Sequence, residues 1–508
     1  MPFEGATPLL TAAEMRAWDS EAIERVGIPE RLLMENAGRA AACVVHALYP
    51  IGLVAAAIGK GNNGGDALVM LRCLAAWGRD VVMVAQEDGA IRDELLHGYH
   101  IPRFEPEDAD AAFASAAVIV DGLLGTGATG APRGAATHLI RAMSDASLPI
   151  VALDGPSGVD LTTGATAGVA VSADVTVSFG APKRGHLLYP GRSHTGRLVV
   201  VEVGFPPFDP RAASAVLITR EWAERHTPEI PWNAHKGTTG QVVVVAGRSG
   251  MGGAAILAAM GALRAGAGLA RIVSHPDNRV VVQGSIPEAI FQSREGDGVR
   301  DAFQNADSIV IGPGMGTDAD ALSCLELALS ESKGIVVMDA DAITLLSRHP
   351  DLLAGDIGPR VLLTPHPREL GRLMEMDTDE VVADPFEAAA RAVVRFGCAV
   401  LLKGAPSIVA RLGNPTLVNV TGHSGVATGG MGDTLSGVAG AFAAAGATPA
   451  EAGALALHFA GRAAEIAGRG RGLLPRDVAE SLPAALVAKG LPDRLQRAEV
   501  ILDLPAPV

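Results

Sequence analysis

The stretch Ile51-Gly-Leu-Val-Ala-Ala-Ala-Ile58-Gly59-Lys-Gly-Asn-Asn-Gly-Gly-Asp66-Ala-Leu-Val-Met-Leu-Arg-Cys-Leu-Ala-Ala-Trp77 decides the fold of this chain. The uninterrupted apolar run at 51–58 has the length of a buried strand, and 67–77 carries apolar residues at helical spacing. Gly59 to Asp66 forms the loop between them. Apolar runs without in-out alternation belong to strands covered on both faces, hence to a mainly parallel sheet between layers of helices. Outward from this stretch the same alternation recurs. Thr11-Ala-Ala-Glu14 has capping-box spacing ahead of a helical stretch, and a further helix is expected over 32–48. Short apolar runs follow at 81–85, 117–120, 149–153, 175–178 and 198–203.

A second alternation begins at 241–246 and continues at 270–274, 308–311, 335–338, 361–363 and 400–402. No fixed-period repeat is present, which argues against a solenoid. The segment between the two series is rich in Pro and charge and lacks a period. The expected organisation is therefore two tandem three-layer α/β/α domains, over 1–215 and 233–500, with a linker at 216–232.

Composition narrows the function. The chain has 508 residues, 48 % apolar, with a formal charge of −15 and no long Lys/Arg cluster. That balance argues against nucleic acid and against an anionic membrane surface as partners. Cys43, Cys73, Cys324 and Cys398 are scattered, which fits a reducing compartment and excludes a disulfide framework or a Cys-based zinc site. The N-terminus has no basic head before an apolar run, so no signal peptide is expected. The apolar run at 435–447 falls short of the roughly 20 residues that span a bilayer. The expected location is the cytoplasm.

Polar loops cluster at strand ends, where open parallel sheets bind ligands. In the first half these are Gly59 to Asp66, Asp121-Gly-Leu-Leu-Gly-Thr-Gly-Ala-Thr-Gly130 and Asp154-Gly-Pro-Ser-Gly-Val-Asp160. A tight turn alone would not need two Asn, paired Gly and an Asp. Asn63, Asp121 and Ser157 offer oxygen ligands for a hard cation. In the second half, Gly429-Gly-Met-Gly-Asp433 precedes a helical segment expected from 434. Glycines there let several N–H groups converge on a phosphate, and Asp433 lies where a carboxylate can take a hydroxyl proton. Gly312-Pro-Gly-Met-Gly316, Asp339-Ala-Asp341, Thr364-Pro-His-Pro-Arg-Glu369 and Lys403-Gly-Ala-Pro-Ser407 all follow strands. Gly250-Met-Gly-Gly-Ala-Ala255 imitates a dinucleotide fingerprint, but no acidic residue closes the next strand.

The set GNNGGD, DGLLGTG and DGPSG resembles the N-terminal epimerase domain of the NAD(P)H-hydrate repair enzymes. Ala67 stands where that family usually has Gly, and Gly155 where it has Ile. The second half, from Asn233-Ala-His-Lys-Gly237 through GRSGMGGA at 247–254 to GGMGD, resembles the same family's dehydratase domain. Arg368, Met431 and Ser407 depart there from the usual Gly, Thr or Ser, and Thr. The resemblance implies a Rossmann-like domain followed by a ribokinase-like one. It implies epimerisation of R and S hydrated NADH or NADPH, then ADP-dependent dehydration of the S form with release of AMP and phosphate.

By the same resemblance, K⁺ would sit at Asn63, Asp121 and Ser157. Hydrate contacts in the epimerase would come from Asn62, Asn63, Gly64, Gly65, Asp66, Gly125, Thr126, Gly127, Ala128, Thr129, Gly130, Ala131 and Asp154. In the dehydratase they would come from Ala254, Gly316, His366 and Asp433. Lys403, Gly404, Ala405, Pro406, Ser407 and Gly432 would hold the nucleotide, with Mg²⁺ at its phosphates. Asp154 and Asp433 are the expected catalytic groups, and a homo-oligomer is expected. The competing readings are a vitamin or sugar kinase of the same fold fused to a nucleotide-binding domain, and a non-catalytic nucleotide-binding scaffold.

Overall fold

A computed structural model describes residues 7–296, 298–487 and 499–507. The chain divides into two compact units. After the short strand β1 (Thr7–Leu9), the first unit contains β2 (Leu53–Ile58), β3 (Val81–Ala85), β4 (Arg103–Phe104), β5 (Ala116–Gly122), β6 (Ile150–Leu153), β7 (Val175–Phe179) and β8 (Arg197–Val201). The second contains β9 (Ala215–Ile218), β10 (Gln241–Val245), β11 (Leu269–Ser274), β12 (Ile290–Ser293), β13 (Ser308–Ile311) and β14 (Ile335–Met338). It continues with β15 (Val361–Leu363), β16 (Ala399–Leu402), β17 (Ile408–Ala410) and β18 (Thr416–Asn419). The last strand, β19 (Val500–Leu504), returns to the first unit.

The first sheet is ordered β19-β8-β7-β6-β5-β2-β3-β4. All neighbours from β8 to β4 are parallel, and β19 lies antiparallel on β8. Side chains alternate between the two faces of a strand, so β2 serves two cores at once. Val54, Ala56 and Ile58 pack with Ala41 and Val44 of helix Glu30–Leu48 and with Leu68 and Leu71 of helix Asn62–Ala76. Ala55 and Ala57 pack with Leu139, Ile140 and Met143 of helix Ala135–Asp145. This is the three-layer arrangement that an apolar run without alternation requires.

In the second unit the sheet runs β9-β18-β17-β16-β15-β14-β13-β10-β11-β12. It is parallel from β16 to β12, while β17 pairs antiparallel with both β16 and β18. Strand β10 is sealed, with Val242 to Val245 fully buried.

Several boundaries differ from the sequence reading. The segment 216–232 is not a free linker: most of β9 and the helix Arg220–His226 lie in it, and Trp222 is fully buried. β9 pairs in register with β18, some 200 residues away, so its strand character comes from a distant partner. The first unit takes back β19 from beyond the second unit, and residues 488–498 of the expected second domain lie outside the described residues. Both helices begin inside the glycine-rich loops rather than after them, at Asn62 in Asn62–Ala76 and at Met431 in Met431–Ala444. The capping box at Thr11 and Glu14 forms as expected, ahead of helix Ala12–Ser20.

Candidate active site

In the first unit, β2, β5, β6 and β7 are consecutive neighbours, so everything at their carboxyl ends gathers along one edge. β2 delivers helix Asn62–Ala76 after a turn so tight that a Cβ on Gly64 would overlap the Gly59 carbonyl oxygen. Only Gly permits that approach. Asn63 is buried in the first helical turn and its Nδ2 donates to the Leu124 carbonyl at 3.0 Å. Its Oδ1, also buried, has no hydrogen-bond partner. Asn62 is exposed and donates to Glu30 at 2.8 Å.

Asp121 lies within β5 and is fully buried. Its Oδ1 accepts from the Ser157 hydroxyl at 2.7 Å and the Leu123 N–H at 3.2 Å, and its Oδ2 accepts from the Ser157 N–H at 2.8 Å. Burial raises this carboxyl to about 6 against those hydrogen bonds. Asp121 and Ser157 therefore meet directly, with the Leu124 N–H, 3.0 Å from Ser157 Oγ, joining them to the loop that Asn63 holds. A buried carboxylate, a hydroxyl and an unpartnered amide oxygen form a donor set suited to a hard cation.

Asp154 follows β6 at φ +61°, a conformation Asp tolerates better than most residues. Its Oδ1 pairs with the Lys183 ammonium and its Oδ2 accepts from the Thr126 N–H at 3.2 Å. That second bond brings the loop Gly125, Thr126, Gly127, Ala128, Thr129, Gly130 and Ala131 to Asp154; a turn closed by the Ala128 N–H on the Gly125 carbonyl shapes it. Asp66 is also buried. Two carboxylates here diverge. Burial, then the charge of Asp154, pushes Asp66 well above the carboxylate range. Burial presses on Asp154 as well, but the Lys183 charge and hydrogen bond outweigh it and hold Asp154 below the usual value.

Lys183 was absent from the sequence-derived site. It follows β7 within Ala181-Pro-Lys-Arg-Gly-His186, where no glycine-rich loop marks a ligand. The available signal was a lysine just beyond a strand's carboxyl end.

In the second unit, β13, β14, β15 and β16 are parallel neighbours and present their following loops together. Gly312, at φ +126°, lies against the Asp339 carbonyl so closely that a Cβ would overlap it. Gly316 donates its N–H to Asp341 at 2.9 Å, and Ala254, near the start of helix Gly252–Arg264, is buried. Lys403 donates to Asp339 at 2.8 Å and lies 3.9 Å from Glu369. Burial opposes its charge, yet Asp339 and Glu369 hold it above the ordinary lysine value.

The helix Met431–Ala444 points its N-terminus at this group. A Cβ on Gly432 would lie 3.3 Å from Lys403 Nζ and 3.6 Å from Asp339 Oδ2. First-turn N–H groups have no helical acceptor and so suit an anion. Asp433, in the same turn, is raised to about 7, first by burial and then by Asp339, with Lys403 opposing and Asp341 adding. Asp339 was named in the sequence reading as a strand-end residue but not as a site residue; its pairing with Lys403 puts it at the centre.

His366 has a capping role. Its Nδ1 accepts the N–H groups of Arg368 and Glu369 at 3.2 and 3.3 Å, and Glu369 accepts the His366 N–H at 2.9 Å. Arg368 therefore leaves the turn intact. Gly404, Ala405, Pro406 and Ser407 form a closed loop in which Ser407 Oγ accepts from the Gly404 N–H at 3.0 Å and donates to its carbonyl at 2.9 Å.

Comparison with known proteins matches both units. Residues 242–484 match the family described as NAD(P)H-hydrate dehydratase, and 30–185 match the YjeF-related protein N-terminus. The chain is 34 % identical over 466 residues to the bifunctional NAD(P)H-hydrate repair enzyme Nnr of Moorella thermoacetica, covering 85 % of this chain and 87 % of that protein. It is 35 % identical over 451 residues to the Escherichia coli enzyme of the same name, covering 85 % and 84 %. The chain belongs to the bifunctional NAD(P)H-hydrate repair enzyme family. Among solved structures, an ADP/ATP-dependent NAD(P)H-hydrate dehydratase from Bacillus subtilis, co-crystallised with ATP/Mg²⁺, is 26 % identical. It covers 53 % of this chain and 96 % of its own, with a TM-score of 0.46. Among the described residues no helix is long and apolar enough to cross a membrane.

Proposed function

We propose that this chain repairs hydrated NADH and NADPH, its first unit interconverting the R and S hydrates and its second dehydrating the S form with ADP. The observation that supports this most is similarity to the bifunctional enzymes across both units rather than one. A stand-alone kinase would leave the first site without a task.

The hydrate carries a hydroxyl on the ring carbon beside nitrogen. For epimerisation, the ring nitrogen's electron pair expels that hydroxyl, which leaves as water after receiving a proton. Water then adds to the opposite face of the cationic ring and loses a proton. Asp66, where burial favours the proton, is suited to give the first proton, and Asp154, where Lys183 favours the carboxylate, to take the second. Asn63, Asp121 and Ser157 would hold K⁺, which supplies a fixed positive charge balancing the buried Asp121 carboxylate. The glycine loop 125–131 would lie along the hydrate's phosphates.

In the second unit Asp433 takes the proton of the S hydroxyl as its oxygen attacks the terminal phosphorus of ADP, displacing AMP. Phosphate then departs with the carbon–oxygen bond pair, and the adjacent ring carbon loses a proton to restore the double bond. Gly432 and Asp433 N–H groups and Lys403 would stabilise the transferring phosphoryl charge. Among the described residues no cluster of His, Cys, Asp or Glu is arranged to hold a metal ion on its own. Mg²⁺ would sit at the nucleotide's phosphates, neutralising part of their charge. The test is incubation with R,S-hydrated NADH and ADP, following NADH absorbance. Recovery of both epimers supports the reading, and recovery of neither refutes it.

A further inference from the structure

We propose that Lys183 is a positioning residue of the first site, a solvent-sealed ammonium that keeps Asp154 a carboxylate and fixes which of its oxygens meets the substrate. This rests on the epimerase reading of that site. Lys183 is fully buried. Its ammonium has three N–H bonds and three acceptors around it: Asp154 Oδ1, Ser178 Oγ at 3.0 Å and the Phe179 carbonyl at 3.1 Å. No donor is left for a ligand, so Lys183 acts on the reaction only through Asp154.

The carboxylate is held on both sides. Oδ1 is anchored to Lys183, and Oδ2 accepts from the Thr126 N–H of the glycine loop. The Asp154 side chain is 12 % exposed against 1 % for Lys183, so whatever the pair shows to a ligand is Asp154. The Asp154 N–H donates to the Val177 carbonyl at 2.7 Å, tying the backbone to β7, the strand that leads to Lys183. Backbone and side chain thus lock one rotamer.

Of the other titratable groups facing Asp154, His186 favours its ionisation as Lys183 does, but less strongly. The Asp154 charge adds to the burial that raises Asp66 and Asp19, with Arg92 facing Asp66 and Glu30 facing Asp19. His186 accepts the Lys183 N–H through Nδ1 at 3.1 Å and is neutral, held to about 3 first by burial and then by the Lys183 charge. Without Lys183, Asp154 would be a buried carboxyl among acids, and such a group protonates near neutrality. The base that removes the proton from incoming water would then be lost as pH falls.

The test uses the full-length protein and purified R hydrate without ADP, so that the dehydratase stays silent, with epimer ratio read by chromatography. Wild type should show kcat/KM constant within about twofold from pH 6 to 8. Lys183→Met should lose about tenfold per pH unit below a new midpoint inside that range, with little change in KM. Lys183→Arg should keep the flat profile at a lower kcat. Should Lys183→Met fail to fold, the Asp154 carboxyl of ¹³C-labelled wild type, assigned by its loss in Asp154→Asn, should stay ionised from pH 8 to 5. A flat profile in Lys183→Met, equal losses at every pH in both lysine variants, or titration of the wild-type Asp154 signal between pH 5 and 8 overturns the proposal. A wild type that does not epimerise the R hydrate at all refutes the epimerase reading instead.

Discussion

Asp433 can act as a base only when ionised, and its surroundings place that change near neutrality. Burial and the Asp339 charge raise its carboxyl to about 7 despite Lys403. At pH 6 roughly a tenth of the enzyme then carries the carboxylate, and at pH 8 roughly nine-tenths. Dehydratase kcat/KM, which reports the free enzyme, should rise about tenfold between these pH values with a single limb centred near 7. The assay is NADH recovery from purified S hydrate with ADP in excess. Asp433→Asn should lower the rate by ~10²–10⁴-fold and remove the limb, leaving epimerisation intact.

The same shift has a stability consequence of opposite sign. A carboxyl raised in the folded state binds its proton more tightly there than in the unfolded chain, so stability falls as pH rises from about 4 towards 7. Each unit is worth about 1.4 kcal/mol, so Asp433→Asn should stabilise the second unit by up to about 4 kcal/mol at pH 8 and by almost nothing at pH 4. A dehydratase rate independent of pH between 6 and 8, or an Asp433→Asn variant with near-normal NADH recovery, would refute Asp433 as the base.

Asp154→Asn should leave the S hydrate consumed at the wild-type rate and the R hydrate only as fast as it epimerises spontaneously. Racemic substrate then gives a fast and a slow phase, and a single fast phase removes Asp154 from the chemistry. Lys403→Ala should weaken ADP binding in calorimetry and move the dehydratase limb to higher pH, because a charge that favours ionised Asp433 is gone; unchanged ADP affinity would detach the lysine from the nucleotide. Replacing K⁺ by tetramethylammonium, too large for the site of Asn63, Asp121 and Ser157, should slow conversion of the R hydrate and spare dehydration of the S hydrate. Equal rates in both salts would count against that cation site. Truncation after residue 498 removes β19, uncovers the edge of β8 and deprives Arg197 of its paired contact with Asp503 at 2.8 and 2.6 Å. Epimerase activity and the first unit's thermal transition should fall while dehydratase activity persists, and an unaffected epimerase would mean that β19 is dispensable.

The layered α/β architecture was legible in the sequence because it is written in local terms. Runs such as Val242 to Val245, buried on both faces, need a sheet covered on both sides, and helices supply the cover. That Asn63, Asp121 and Ser157 lie along one sheet edge was legible for a related reason: each ends or follows a strand, and strand order brings β2, β5 and β6 side by side. Asp433 was visible through its glycines, whose backbone freedom a bare helix start does not require. What the tertiary structure alone decided is long-range pairing. β9 looked like linker because four residues have little strand signal until β18 lies beside them, and β19 reaches β8 only after the whole second unit intervenes. Lys183 and Asp339 carry no motif of their own. They are drawn into the two clusters by partners 29 and 64 residues away in sequence, Asp154 and Lys403, because a buried charge is stable only where the fold brings its counter-charge into hydrogen-bond contact.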